Sequence, residues 1–289
     1  MPIATLDFVS RGRTLRMDLD LDRGRSNENS IIKFLERGRH YEPDVSLMMC
    51  KIIEPGDVVV DVGANAGFFT VLLGVLAGEN GRVVSFEPGD NNIPRLKNNI
   101  GLNKLRNVDL IEKAASDVAG PMTFFINSDD SGGNALWDVG TFPGNVKSAA
   151  APQAVAIEAT TIDAELSRLG LPAPKLIKVD TEGAELKVLM GCTSLLTSCK
   201  VPFVIAEYHP FGLAKMGASP EALRAFMETL GYATFAMYYD GTMPKLIPAG
   251  TELATPSIVN LLFSTPEHVG RIWPAYYHHP GMTHPLPQV

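Results

Sequence analysis

The chain has 289 residues, 45% of them hydrophobic, with 25 basic against 32 acidic side chains and a formal net charge of −7. An acidic chain without a long basic run is a poor partner for nucleic-acid phosphates; no stretch reaches the length of a membrane span, and MPIATLDFVSRGR lacks the layout of a secretory leader. Cys50, Cys192 and Cys199 form no CxxC pair and lie in apolar contexts, so the expectation is a cytoplasmic protein with buried, reduced thiols.

Residues 1–50 read as an N-terminal extension or cap, with a strand pair at 5–9 and 14–19 and helical runs near 31–35 and 45–53. Pro55-Gly56 punctuates before a first core strand at 57–61 and a helix at about 67–78. A second strand at 82–86, a helix at 91–100 and a third strand at 108–115 follow. Strands at 122–127 and 154–160 read as an inserted β-hairpin. Between them, 128–153 is rich in Ser, Gly, Ala, Asn and Pro, and a loop of that length predicts a mobile lid. A helix at 162–169 ends at Gly170, and the fourth strand occupies 176–179. One helix carrying Leu186, Leu189, Met190 and Leu195 leads to a fifth strand at 203–206. Ser219-Pro220 opens a further helix, with serine as N-cap and proline at its first position, and Gly231 closes it. Strands at 232–239 and 258–264, joined by a loop without helical pattern, predict an antiparallel final pair. Residues 266–289, rich in Pro and His, read as a tail over the surface. The alternation predicts a doubly wound α/β domain over 51–265: a mostly parallel, seven-stranded sheet with an antiparallel final strand and helices on both faces.

The most informative stretch is VVVDVGANAGFFT, 58–70. A β-branched run ends in Asp61, a small-residue loop follows (Gly63, Ala64, Asn65, Ala66, Gly67), and an apolar helix begins. Such a loop lies at the carboxyl edge of the first strand, where nucleotides bind. Glu87 ends the second strand, placed to accept hydrogen bonds from two ribose hydroxyls. Asn65 stands where a dinucleotide fingerprint has its middle glycine, and would crowd a pyrophosphate. Its amide, with Asp61 as acceptor for an ammonium group, suits an adenosine that carries an amino acid. S-adenosylmethionine is that ligand; a nicotinamide-dependent reductase is disfavoured.

The chain resembles the FkbM-type methyltransferases, a branch of the Rossmann-like S-adenosylmethionine-dependent enzymes. The likeness rests on GDVVVDVGANAGFFT (56–70), FEPGDNNIPRLKNNIGLN (86–103), LIKVDTEGAELKVLMG (176–191) and FVIAEYHP (203–210), with a weaker block ATTIDAEL (159–166). It implies methyl transfer to a hydroxyl of a sugar or secondary metabolite, with N-methylation as the alternative and a non-catalytic binding protein as a further one. The partner is then a small-molecule or glycan acceptor. Carried over, Asp61, Gly63, Ala64, Asn65 and Gly67 surround the methionine end, and Glu87 takes the ribose. Ala115 and Ser116 lie near adenine, and Asp180, Glu182 and Gly183 line the active-site edge.

Methylating an alcohol requires a base near the acceptor. Asp180, Glu182, Glu207 and His209 follow the fourth and fifth strands, whose ends face the ligand crevice. His209 is the first choice as base, since neutral imidazole is available near pH 7, with Asp180 positioning the acceptor. The plainer readings are a His209 that satisfies backbone groups, a Glu182 that caps the next helix, and a Glu207 paired with a basic residue. Asp180 and Glu207 are also residue types that hold Mg²⁺. Two carboxylates do not make a ligand set, however, and His278, His279 and His284 have no metal-binding company; no metal is expected.

Overall fold

The computed structural model describes residues 3–275 apart from 254 and 256. The tail after 275, with its three histidines, lies outside the described residues. The chain opens with a hairpin, β1 (Ile3–Ser10) and β2 (Arg13–Asp20), then α1 (Ser26–Leu35) and α2 (Pro43–Ile52). The first core unit is β3 (Val58–Val62), α3 (Phe68–Ala77), β4 (Arg82–Phe86), α4 (Ile93–Leu102) and β5 (Val108–Ile111). β6 (Ala114–Ala115), β7 (Gly120–Ile126), α5 (Val146–Ala150) and β8 (Gln153–Thr160) form the insertion. α6 (Ile162–Leu169), β9 (Leu176–Val179), α7 (Glu185–Met190), α8 (Thr193–Leu196), β10 (Phe203–Tyr208) and α9 (Pro210–Lys215) carry the chain back through the sheet. α10 (Pro220–Thr229), β11 (Ala233–Ala236), β12 (Lys245–Ile247), β13 (Val259–Ser264) and α11 (Pro266–Ile272) complete it.

The main sheet runs β12-β11-β13-β10-β9-β3-β4-β5. The five strands from β10 to β5 are parallel, and β13 is antiparallel to both β10 and β11. From β3 the chain winds outward through β4 and β5, then returns to the other side of β3 with β9. The crevice of this doubly wound sheet therefore opens between the carboxyl ends of β3 and β9. Alternation along each strand feeds two cores. Val59 and Leu176 face α3 and the N-terminal elements, while Val60, Val62, Ile177 and Val179 face α7 and α10.

The N-terminal hairpin packs into the first of those cores, where Leu6, Met17 and Leu19 are buried with Val71 and Leu72 of α3. The Asp20 N–H donates to Asn99 Oδ1 at 2.7 Å and the Asp18 N–H to Asn103 Oδ1 at 2.8 Å, fixing β2 along α4.

The structure departs from the sequence reading in five places. The sheet has eight strands rather than seven. The extra edge strand, β12, is a three-residue piece between Pro244 and Pro248, too short to show an alternation. The expected strand at 108–115 is two: β5 stays in the main sheet, and β6 joins β7 and β8 in a separate three-stranded sheet. The expected helix through Leu195 breaks at Gly191, where a Cβ would stand 1.9 Å from the Ser116 carbonyl. Segment 128–153 is folded rather than an open loop, holding a 3-10 turn at Val139–Thr141 and α5. The start of the supposed tail is α11, capped by the Thr265 hydroxyl, with Val269 buried in the core. Among the described residues no helix is long and apolar enough to cross a membrane.

Candidate functional site

The loop after β3 is shaped by what presses on it. Gly63 has φ +83°, and a Cβ there would lie 1.7 Å from the Asp180 carbonyl oxygen, so the ends of β3 and β9 touch backbone to backbone. The Asn65 N–H donates to Glu87 Oε2 at 2.7 Å, and the Gly89 N–H to Glu87 Oε1 at 2.8 Å. Glu87 thus ties the β3 loop to the turn after β4 and keeps lone pairs for a ligand. Burial pushes its carboxyl up to about 7, against the pull of those N–H donors.

A cavity opens over this loop. Gly63, Ala64, Asn65 and Glu87 line it, together with Ala115, Asp180, Glu182 and Glu207. One end is apolar, formed by Phe86, Ala114, Phe124 and Leu136. Asn65 is held at φ 51°, and its Oδ1 is buried without a partner at the cavity wall. Gly67 serves the turn instead, with φ +97° and no room for a Cβ against Leu96.

Two more of the expected cofactor contacts, besides Gly67, are not at the wall. Asp61 is fully buried on the α3 face, where its Oδ2 accepts from the Thr70 hydroxyl at 2.6 Å. It pairs in register with Lys178 of β9, which does line the cavity, while Asp61 lies beneath the loop with its Oδ1 buried and unpartnered. Ser116 is also buried, its hydroxyl donating to Asp117 at 3.0 Å; only its neighbour Ala115 reaches the cavity.

Lys178 itself was not singled out, although a lysine inside the run LIKV was a visible irregularity. Its Nζ lies 2.8 Å from Asp180 Oδ2 and 4.3 Å from the Phe69 ring centroid. Burial works against its charge, but Asp180, Asp61 and Glu42 outweigh that and raise its pKa, so the ammonium persists. Asn27, Tyr41 and Glu42 were also missed; they reach the cavity from the N-terminal elements. Glu42, at φ 40° before α2, accepts from Asn260 Nδ2 at 3.4 Å, and burial pushes its carboxyl up to about 7.

The acidic loop after β9 is built around a pair of glycines. A Cβ on Gly183 would meet the Gly212 backbone at 2.2 Å, so this loop and the start of α9 pack with no side chain between them. Glu185, rather than Glu182, caps the turn: its Oε1 accepts from the Thr181 N–H at 3.0 Å and the Gly183 N–H at 2.9 Å. That frees Glu182, which has φ 57° and whose carbonyl accepts from Trp137 Nε1 at 2.6 Å.

One oxygen each from Asp180, Glu182 and Glu207 lies within 4.8 Å of the others, so three of the four expected catalytic residues converge. Glu207 has no basic partner on Oε2, which is buried and unpaired. Burial, then the neighbouring carboxylates Asp180 and Glu182, drive its pKa well above the ordinary range. The fourth residue, His209, does not offer a free ring nitrogen. Its Nδ1 accepts from the Gly212 N–H at 2.9 Å as the N-cap of α9, and its Nε2 lies 3.3 Å from Glu182 Oε2. Burial disfavours the imidazolium and Glu182 favours it, with a net rise; a proton on Nδ1 would cost the cap. The expectation that His209 takes the acceptor proton directly does not fit this geometry.

The fold and the β3 loop define a Rossmann-like domain of the methyltransferase class. The chain belongs to the FkbM methyltransferase family: residues 61–234 match the methyltransferase FkbM domain. It is 30% identical over 169 residues to the hexuronic acid methyltransferase AglP of Haloferax volcanii, a match covering 58% of this chain and 62% of that protein. Among solved structures, it resembles a methyltransferase FkbM from Methylobacillus flagellatus at 15% identity and a TM-score of 0.43, covering 85% of this chain and 56% of that one. A precorrin-6y C5,15-methyltransferase from Geobacter metallireducens is similar at 13% identity and a TM-score of 0.42, covering 78% of this chain and 89% of that one.

The two carboxyls raised to about 7 would make binding of a cationic ligand in this cavity proton-linked. A cationic ligand lowers the pKa of an adjacent carboxylate. Glu87 and Glu42 are partly protonated just below pH 7, so binding a sulfonium there should expel protons. Calorimetry at pH 6.5 in buffers of different ionisation enthalpy should show net proton release; a heat independent of buffer would contradict it.

Proposed function

We propose that this chain transfers the methyl group of S-adenosylmethionine to a hydroxyl of a sugar or sugar-like metabolite. The observation that carries the reading is the position of Glu182. It lines the cavity over the β3 loop and also a second cavity bounded by Trp137, Phe142 and His209. A carboxylate on the wall between the nucleotide-loop cavity and an aromatic-lined one stands where a donor and an acceptor meet. The hexuronic acid acceptor in the relative's name supports the sugar class.

The residues present fit the cofactor. The apolar end suits an adenine, Glu87 a ribose diol, and the unpartnered Asn65 Oδ1 an ammonium donor. When bound, S-adenosylmethionine supplies a methyl carbon already activated by a sulfonium. The protein's part is then alignment, exclusion of water and removal of one proton. Glu182 removes the proton: burial raises its pKa, partly offset by the hydrogen bond with His209, which places it nearer neutrality than an ordinary carboxylate. His209 is a positioning residue, holding Glu182 through Nε2 while Nδ1 anchors α9. Asp180, paired with Lys178, holds the acceptor side of the β9 loop in register. The Trp137 segment closes the acceptor site, so 128–153 serves as its wall.

The test is direct. Purified protein, S-adenosylmethionine and a panel of glycosides and amines should give a product one methyl heavier on a hydroxyl oxygen; methylation confined to amines would overturn the reading. Activity should survive EDTA, because the Lys178 ammonium already partners the carboxylate a divalent ion would need. Loss of activity in EDTA, restored by Mg²⁺, would instead assign Asp180, Glu182 and Glu207 to a metal.

A further inference from the structure

The second cavity has a one-sided hydrogen-bonding character. Its polar groups are mostly acceptors. Asn27 Oδ1 is buried without a donor, at the wall shared with the first cavity. Glu182 and Asp130 add two carboxylates, and Asp130 uses one oxygen on the Gly132 N–H at 3.0 Å. No lysine or arginine lines this cavity among the described residues. His209 offers no free N–H to a ligand carboxylate, since both its ring nitrogens are engaged within the protein. Asn127 and Asn145 also line it but spend their amide N–H groups on the Gly133 and Val139 carbonyls, and Trp137 and Phe142 supply an aromatic face with ring centroids 6.4 Å apart at 47°.

Resting on the sugar reading, we propose that the acceptor is a polyhydroxylated ring without a carboxylate, either neutral or amine-bearing, seated against Trp137 and Phe142. A ring with C–H groups on its face suits an aromatic wall, and its hydroxyl or ammonium donors suit Asn27, Asp130 and Glu182. A uronate would bring its negative charge beside Asp130 and the Glu182–His209 pair with no lysine or arginine to receive it, and like charges repel more strongly at reduced dielectric. The acceptor of this chain thus differs in charge from the hexuronic acid named for its relative. The buried, unpaired Asn27 Oδ1 calls for a donor, which a ring hydroxyl supplies.

The experiment compares three probes that differ at one position: a methyl glucoside, methyl glucosaminide and methyl glucuronide. Methyl transfer is measured at pH 7.5, and binding is followed by Trp137 fluorescence in a Trp273→Phe background. The neutral or amino probe should exceed the glucuronide by tenfold or more in both kcat/KM and affinity. Asp130→Lys should narrow that gap at least tenfold by supplying a cation. A glucuronide bound and methylated as well as its neutral counterpart overturns this inference and leaves the sugar reading standing. Binding and transfer to none of the three, with amines methylated instead, overturns the sugar reading and this inference with it.

Discussion

Replacing Glu182 by glutamine should lower turnover by about two to four orders of magnitude, the range for loss of a general base. The substitution keeps the shape of the side chain and a hydrogen-bond partner for His209, so the fold and the β9 loop should persist. Since a base must be deprotonated to act, wild-type turnover should rise with pH through the raised pKa of Glu182 and level off above it. That limb should vanish in the variant. His209→Ala should act more mildly: removing the hydrogen bond that favours the Glu182 carboxylate should shift the limb upward, and losing the cap on α9 should cost about 1 kcal/mol of stability. Near-normal turnover in Glu182→Gln, with the limb unchanged, would place the base elsewhere.

Gly63→Ala should destabilise the protein by about 2–5 kcal/mol, combining overpacking with the cost of a left-handed backbone for a residue with a Cβ. The methyl would stand 1.7 Å from the Asp180 carbonyl. Backbone has no rotamer by which to yield, so β3 and β9 must separate at the mouth of the crevice. Chemical denaturation measures the stability, and calorimetry should find cofactor affinity sharply reduced in whatever folds. Wild-type stability would mean the two strand ends have more freedom than this packing allows. Ala64→Gly, one residue on, relieves nothing and removes only a small side chain, so it serves as the control.

The sheet and its loop were legible because local pattern determined them. β-branched runs ending at Asp61 and Val179, and the Gly63–Gly67 loop between apolar segments, carry their own periodicity and turn chemistry. What stayed hidden was set by register. Asp61 looked like a ligand because it sits near a strand end, yet it is buried against the Thr70 hydroxyl and beside Lys178 in register, a neighbour visible only once β9 lies beside β3. Asp180, Glu182 and Glu207 were expected together because each lies at or just past the end of a core strand, and one oxygen from each does lie within 4.8 Å of the others. The caps supplied by Glu185 and His209 were out of sight, because they depend on the close Gly183–Gly212 approach, between segments about thirty residues apart. Folded order in 128–153 came from Asn127, Asp129 and Ser148 hydrogen-bonding across the segment, and polar composition alone does not distinguish such a network from an open loop.

The hydrogen bond from Asn260 to Glu42 links residues 218 positions apart, and one wall of the first cavity is made of Asn27, Tyr41 and Glu42. Those side chains lie upstream of the segment that matches the family, and Asn260 lies downstream of it. The cavity therefore draws on chain outside the family segment: a fragment limited to 61–234 has the nucleotide loop but lacks a side of the vessel. Contacts of such long chain separation impose their entropic cost before they return any stability. During synthesis, Glu42 can gain its partner only once β13 has emerged.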